Sequence, residues 1–343
     1  MSRLDDLSTW LTHVLGQPTP TLVPASADAS FRRYFRIALP DGATRIVMDA
    51  PPPQEDCRPF VHVAGLIRDA GLTAPEVLAQ DLERGFLLLT DLGGATYLEH
   101  FATFDFAPAQ ADPYMREAIT ALVRWQGASR EGVLPAYDEA LLRRELGLFP
   151  EWFVARHLGH TLSDAEQAVL AKTNDLLVAS ALAQPKVYVH RDYMPRNLMV
   201  APLGGNGPGI LDFQDAVYGP ITYDVASLFR DAFLSWEEEQ VIDWTVRYWD
   251  EARRAGLPVS EAFNHDFGEF YRAFEWMGLQ RHLKVLGIFC RLNYRDGKEK
   301  YLTDLPRFLG YARRVAERYI ALKPFLRLLD TLENHQDKVG YTF

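Results

Sequence analysis

Apolar positions recur at helical spacing through residues 3–15. Leu4, Leu7, Leu11 and Val14 share one side, and Gly16 and Pro18 close the helix they predict. From Leu22 to Ala50 the pattern changes to short apolar runs broken by turns: Leu22-Val23, Tyr34-Phe35-Arg36-Ile37-Ala38 and Ile46-Val47-Met48, with Pro40-Asp41-Gly42 between the last two. This predicts a strand meander. Residues 55–70 return to helical spacing, with Phe60, Val63, Ala64 and Ile67 on one side and Gly71 as the cap. Val77-Leu78-Ala79 and Phe86-Leu87-Leu88-Leu89 predict two further strands.

Beyond Tyr97 the pattern is helical. It predicts helices over 111–128 and 138–158, and one to about 183 opened by the capping-box form Ser163-Asp164-Ala165-Glu166. Long helices follow over 223–253 and 262–292, and a last pair over 303–333. One stretch interrupts them. Val187-Tyr188-Val189 ends in His190-Arg191-Asp192. Leu198 to Ala201 then runs into the Gly/Pro-rich residues 204–209, and Ile210-Leu211 returns to Asp212. The last two apolar runs predict a hairpin that brings Asp212 back beside Asn197, with Asp192 at the same end. The fold class expected is α+β, with a β-rich first third and a helical remainder holding one embedded hairpin.

Composition narrows the function classes. The 343 residues are 48% hydrophobic and 24% charged, enough for two lobes with separate cores. The formal net charge of −10 makes nucleic acid and anionic membrane poor partners. Cys57 and Cys290 are the only cysteines and lack metal-like spacing, which points to a reducing compartment, the cytoplasm. The first residues lack the basic and apolar regions of a signal peptide, and no apolar run is long enough for a bilayer span.

The residues at the hairpin suit phosphoryl transfer. One carboxylate, Asp192, accepts the proton of an attacking hydroxyl. Asn197 and Asp212 offer oxygens to magnesium held against nucleotide phosphates. His190-Arg191-Asp192, Asn197 and Asp212-Phe213-Gln214 resemble the catalytic loop and metal motif of kinases. The longer set, with Asp215, Tyr218-Gly219-Pro220 and Tyr223-Asp224-Val225-Ala226, resembles the aminoglycoside phosphotransferase and choline kinase superfamily of small-molecule kinases. That resemblance implies a two-lobed protein-kinase-like fold. Residues 1–90 would form an N-lobe of antiparallel sheet plus helix, and 91–343 a mostly helical C-lobe carrying the catalytic hairpin. It implies ATP as phosphate donor and Mg2+ as cofactor. Thr90, Asp91 and Leu92 would be the hinge whose backbone holds the adenine. Ser30 would lie in the loop over the phosphates, His190 would brace the loop, and Asp224 would be structural, bonding back to it.

One departure stands out. The strand Arg45-Ile46-Val47-Met48-Asp49 lacks the lysine this superfamily carries for the α- and β-phosphates, and Asp49 or Met48 stands in its place. Arg33 or Arg36 is the expected substitute, or Arg32, depending on which face each takes. Gln214 and Asp215 follow the metal aspartate and are expected near the acceptor. Along 269–300, Arg281, Lys284, Arg291 and Arg295 fall at helical spacings and predict one basic stripe. It is either a solvated helix face or the recognition surface for an anionic group on the acceptor, with Arg281 and Arg291 foremost. This stretch, with Asp28-Ala29-Ser30-Phe31-Arg32-Arg33-Tyr34-Phe35-Arg36, resembles one branch of the superfamily. That branch is the bacterial kinases that phosphorylate N-acetylmuramate and N-acetylglucosamine at C1 during cell-wall recycling. Two alternatives stay open: a kinase of another small hydroxyl compound, such as an aminoglycoside or choline caged by Trp244, Trp249 and Trp276, and an inactive nucleotide-sensing protein.

Overall fold

The computed structural model describes residues 2–26, 31–201 and 207–339. Ser30 and residues 204–206 of the expected turn lie outside them. In chain order the elements are α1 (Arg3–Leu15), β1 (Val23–Ser26), β2 (Arg33–Ala38), β3 (Thr44–Asp49), α2 (Arg58–Asp69), β4 (Val77–Asp81), β5 (Phe86–Thr90), α3 (Tyr97–Ala102) and α4 (Pro108–Gly127). There follow α5 (Glu139–Leu146), a π-helical segment Phe149–His157, α6 (Asp164–Leu182), β6 (Lys186–Val189), β7 (Leu198–Met199), β8 (Gly209–Ile210) and β9 (Val217–Pro220). The chain ends in α7 (Tyr223–Phe229), α8 (Glu238–Arg254), α9 (Val259–Ala262), α10 (Phe267–Asp296), α11 (Leu305–Arg318) and α12 (Lys323–Val339).

The chain forms two compact units, Met1–Trp125 with Arg196–Ala216, and Gln126–Pro195 with Val217–Phe343. The first holds a five-stranded antiparallel sheet in the order β1-β2-β3-β5-β4. Leu7, Trp10 and Leu11 of α1 bury against Ile37, Val47, Phe86 and Leu88 of the sheet. Arg3 staples this helix down by donating from Nε to Asp49 at 2.7 Å. β7 and β8 form their own short ladder, Leu198 opposite Ile210 and Met199 opposite Gly209.

The second unit is built round α10, which is buried on nearly all sides between Phe270 and Cys290. Gly287 lets another backbone come close: a Cβ there would lie 2.4 Å from the Leu148 carbonyl oxygen. That approach falls where the helix expected over 138–158 gives way to the π-helical segment. β6 pairs with β9, Val187 opposite Gly219, so the strand that leads into His190 is tied to the segment that precedes Asp224. Ser163 opens α6 with the expected reciprocal cap: its Oγ accepts from Glu166 N–H, and Glu166 accepts from its backbone.

The long helix expected over 223–253 is two, parted at residues 230–237. Arg230 leaves helical geometry there, and its buried guanidinium bonds Glu275 of α10 at 2.9 Å. Glu275 also accepts from Arg318 Nη1 and, at 2.6 Å, from the Tyr319 hydroxyl, so the buried carboxylate is fully partnered. Among the described residues no helix is long and apolar enough to cross a membrane.

Candidate active site

In the first unit, the hairpin brings two oxygen-bearing side chains together. Leu211 N–H donates to the Asn197 carbonyl at 2.9 Å, which sets Asn197 opposite the residue before Asp212. Phe213 is fully buried with its ring 4.8 Å from that of Phe60 on α2. Between these anchors Asp212 takes a left-handed backbone, φ +62°, which a residue with a Cβ adopts only when its surroundings enforce it. Asn197 Nδ2 lies 3.4 Å from Asp212 Oδ2, and Gln214 Nε2 donates to Oδ1 at 2.8 Å. An amide and a carboxylate side by side are the donors a hard cation such as magnesium accepts, with phosphate and water completing its shell.

A cavity of about 280 Å3 reaches these residues. Ile46, Leu89, Met199 and Leu211 give it apolar walls, and Asn197 and Asp212 line it as well. Thr90, Asp91 and Leu92 also line it. Thr90 Oγ1 accepts from Glu76 N–H at 2.9 Å. Apolar walls with a few placed polar groups are what a nucleotide base and its phosphates require.

The arginines of this unit divide by strand parity. Arg33 lies opposite Asp49 in the β2–β3 register, and its Nε donates to that fully buried carboxylate at 3.0 Å. Its guanidinium is thus engaged with Asp49. Arg36, three positions on, turns to the other face and lines the cavity. It grips Asp91 with two bonds, Nε at 2.6 Å and Nη2 at 3.1 Å, and donates to the Gly93 carbonyl at 2.7 Å. Burial works against the Asp91 charge, but Arg36 and the Gly93 N–H outweigh it and hold the carboxyl below its ordinary value. Arg32 is the guanidinium beside the metal candidate, 3.7 Å from Asp212 and 3.9 Å from Glu55, its side chain 10% exposed.

Asp192 belongs to the second unit. Its N–H donates to His190 Nδ1 at 3.2 Å, and the buried His190 ring meets Tyr193 edge-on. Asp224 accepts from the N–H of His190 at 2.6 Å and of Arg191 at 2.9 Å. Burial pushes Asp224 up to about 7 against these two bonds; Asp192 adds to the rise and Arg281 opposes it.

The expected basic stripe divides by burial. Arg281 is 2% exposed, and its Nη1 has no hydrogen-bond partner among the described residues. Lys284 is buried and bonds Glu145 at 3.1 Å and the Tyr223 hydroxyl at 2.9 Å. Arg295 is exposed and pairs with its neighbour Asp296. Arg291 stands ten residues beyond Arg281, about 15 Å along the helix at 1.5 Å per residue, so one carboxylate group does not reach both. Burial and Arg295 lower its pKa. Asp215 is exposed. The tryptophans form no cage: Trp244 packs on Trp236, Trp249 on Phe270, and Trp276 on Tyr319.

The sequence reading overlooked Glu145 and the buried role of Lys284. Glu145 lies in an ordinary amphipathic helix pattern, and no motif marks it.

The profile of the phosphotransferase enzyme family matches residues 21–279. The chain belongs to this family. The phosphotransferase is 51% identical over 341 residues to an N-acetylmuramate/N-acetylglucosamine kinase of Pseudomonas aeruginosa, covering 96% of this chain and 97% of that one. It is 50% identical to a kinase of the same name from Neisseria meningitidis, over the whole of both chains. Among solved structures it shares the fold of a choline/ethanolamine kinase family protein from Mesorhizobium loti, with a TM-score of 0.60 and 17% identity, covering 96% of this chain and 99% of that one. An ADP-bound aminoglycoside phosphotransferase is also similar, with a TM-score of 0.56 and 14% identity over 89% and 97% of the two chains.

Proposed function

We propose that this phosphotransferase moves the γ-phosphoryl group of ATP to the C1 hydroxyl of N-acetylmuramate and N-acetylglucosamine, a step of cell-wall sugar reuse. The observation that carries the proposal is end-to-end identity at about half of all positions with two kinases named for those sugars. The cavity and the Asn197–Asp212 pair supply a chemistry consistent with it.

In this reading the base sits between the apolar walls, with Thr90, Asp91 and Leu92 at the hinge and residue 90 the boundary between the lobes. Asn197 and Asp212 would hold a magnesium ion, which would supply charge neutralisation on the phosphate oxygens. Arg32, beside Asp212, takes the part of the absent strand lysine, and Arg36 fixes the hinge through Asp91.

Asp192 orients the acceptor hydroxyl and takes its proton as the oxygen attacks the γ-phosphorus. The bond to the β,γ-bridging oxygen breaks, and ADP leaves with that electron pair. Arg281 receives the lactyl carboxylate, which N-acetylmuramate alone carries; a buried guanidinium with an unused donor is a costly arrangement that an anion relieves. Offering sugars with C1 free and C1 blocked tests the proposal: the free sugars should be phosphorylated and the blocked ones left untouched.

A further inference from the structure

Arg191, one residue before the proposed base, is left-handed at φ +77°. An L-residue pays sterically for this conformation, because its Cβ crowds the following carbonyl. Three anchors hold it there. Its N–H donates to Asp224 at 2.9 Å, and its carbonyl accepts from Ser227 Oγ at 3.4 Å. Its guanidinium bonds Glu145 at 2.5 Å.

Glu145 is itself immobilised. It is buried at the end of α5, and it accepts from the Tyr137 hydroxyl, from Gln280 Nε2 at 3.2 Å and from Lys284. Lys284 is tied in turn to the hydroxyl of Tyr223, the neighbour of Asp224. So Glu145, which grips the Arg191 side chain, is tied through Lys284 to the residue next to Asp224, which grips the Arg191 amide.

We propose that Glu145 is a positioning residue for the catalytic loop, acting through Arg191. At the Arg191 α-carbon, the bond to nitrogen is aimed by Asp224 and the bond to the side chain by Glu145. With two of the three chain-bearing bonds fixed, the third, leading through the carbonyl to Asp192, has one direction left. The guanidinium anchor compensates the left-handed backbone and so sets where the Asp192 carboxylate points. The inference rests on Asp192 being the base.

A glycine adopts this backbone freely and an alanine does not, so the two truncations separate backbone holding from loss of a charge. Arg191→Ala should lower kcat, and Arg191→Gly should recover roughly tenfold of that loss, although it removes more of the side chain. KM for ATP and for the sugar should stay within about twofold of wild type in both. Glu145→Gln should lower kcat when Arg191 is present and have no further effect when combined with Arg191→Gly, as residues acting in series do. Should Glu145→Gln fail to fold, Glu145→Asp takes its place in the same two backgrounds, with the same expectation.

Equal kcat for Arg191→Ala and Arg191→Gly overturns the proposal. So does the same loss from Glu145→Gln in both backgrounds. Asp192→Asn separates this from the parent reading: retained turnover removes the base assignment itself, whereas its loss alongside equal alanine and glycine variants removes only the positioning role.

Discussion

Asn197 and Asp212 meet across a two-residue ladder, with side chains 3.4 Å apart, although fourteen residues separate them in the chain. One supplies a neutral amide and the other a charge, and the difference predicts unequal losses. Asp212→Ala should abolish magnesium-dependent transfer, because the bound cation loses its charged protein ligand. Asn197→Ala should cost less, since water replaces a neutral ligand, and raising magnesium should recover part of it. Rates across a magnesium titration check both. Equal losses that magnesium does not touch would remove the pair from the metal site.

The three arginines of the β2 region have separate jobs and should fail separately. Arg32→Ala should raise KM for ATP about tenfold, as loss of one phosphate contact does. Arg33→Ala should leave ATP kinetics alone and lower stability by about 1 kcal/mol, because buried Asp49 loses one of the two arginines that pair with it among the described residues. Arg36→Ala should loosen residues 91–93 and raise KM for ATP. Steady-state kinetics with thermal melts separates the three; an unchanged KM in Arg32→Ala would leave phosphate binding to backbone and metal.

Glu145 predicts a pH dependence of stability. Burial raises its carboxyl, but Lys284 and Arg191, with the Tyr137 hydroxyl, outweigh it and hold the group at about 2, below the ordinary 4.5. A lowered folded-state value means stability present above 4.5 and lost as pH falls through about 2. The gap, at about 1.4 kcal/mol per pH unit, is about 3 kcal/mol. Denaturant unfolding of wild type should weaken over this window, and Glu145→Gln should flatten the dependence. An unchanged slope in the variant would assign the acid sensitivity elsewhere.

Arg281 predicts a separation of folding from specificity. Arg281→Met removes a buried guanidinium with an unused donor but also a cation that favours the Asp224 charge, so thermal melts should show a folded variant with a lowered melting temperature. It should lower kcat/KM at least about tenfold more for N-acetylmuramate than for N-acetylglucosamine, because only the first carries a carboxylate. Equal losses on both sugars would end the carboxylate-binding role.

The elements that sequence made legible are those with strong periodicity. The meander, the helix with Phe60 and Ile67 on one side, and the hairpin carrying Asn197 and Asp212 to one place all follow from apolar spacing and turn residues. Long-range charge pairing lay beyond it. Arg33 and Arg36 read alike in sequence, yet strand parity and Asp49 send them to opposite faces. Arg230, at the break after Phe229, pairs with Glu275, forty-five residues beyond it. Glu145 carries no mark in sequence and the burial of Lys284 none either, because solvated and buried charges share one helical spacing and only tertiary packing tells them apart.

Phosphoryl transfer is expected at the anomeric hydroxyl. That hydroxyl is the most acidic on a reducing sugar, and so the one a carboxylate base assists most easily. Phosphorus NMR of reactions with ATP, magnesium and each sugar reads the site of transfer directly. N-acetylmuramate and N-acetylglucosamine should yield a sugar 1-phosphate with one ADP per product, and their C1-methyl glycosides should yield none. Phosphorylation of the methyl glycosides, or a product bearing phosphate at any carbon other than C1, would rule out the anomeric hydroxyl as acceptor.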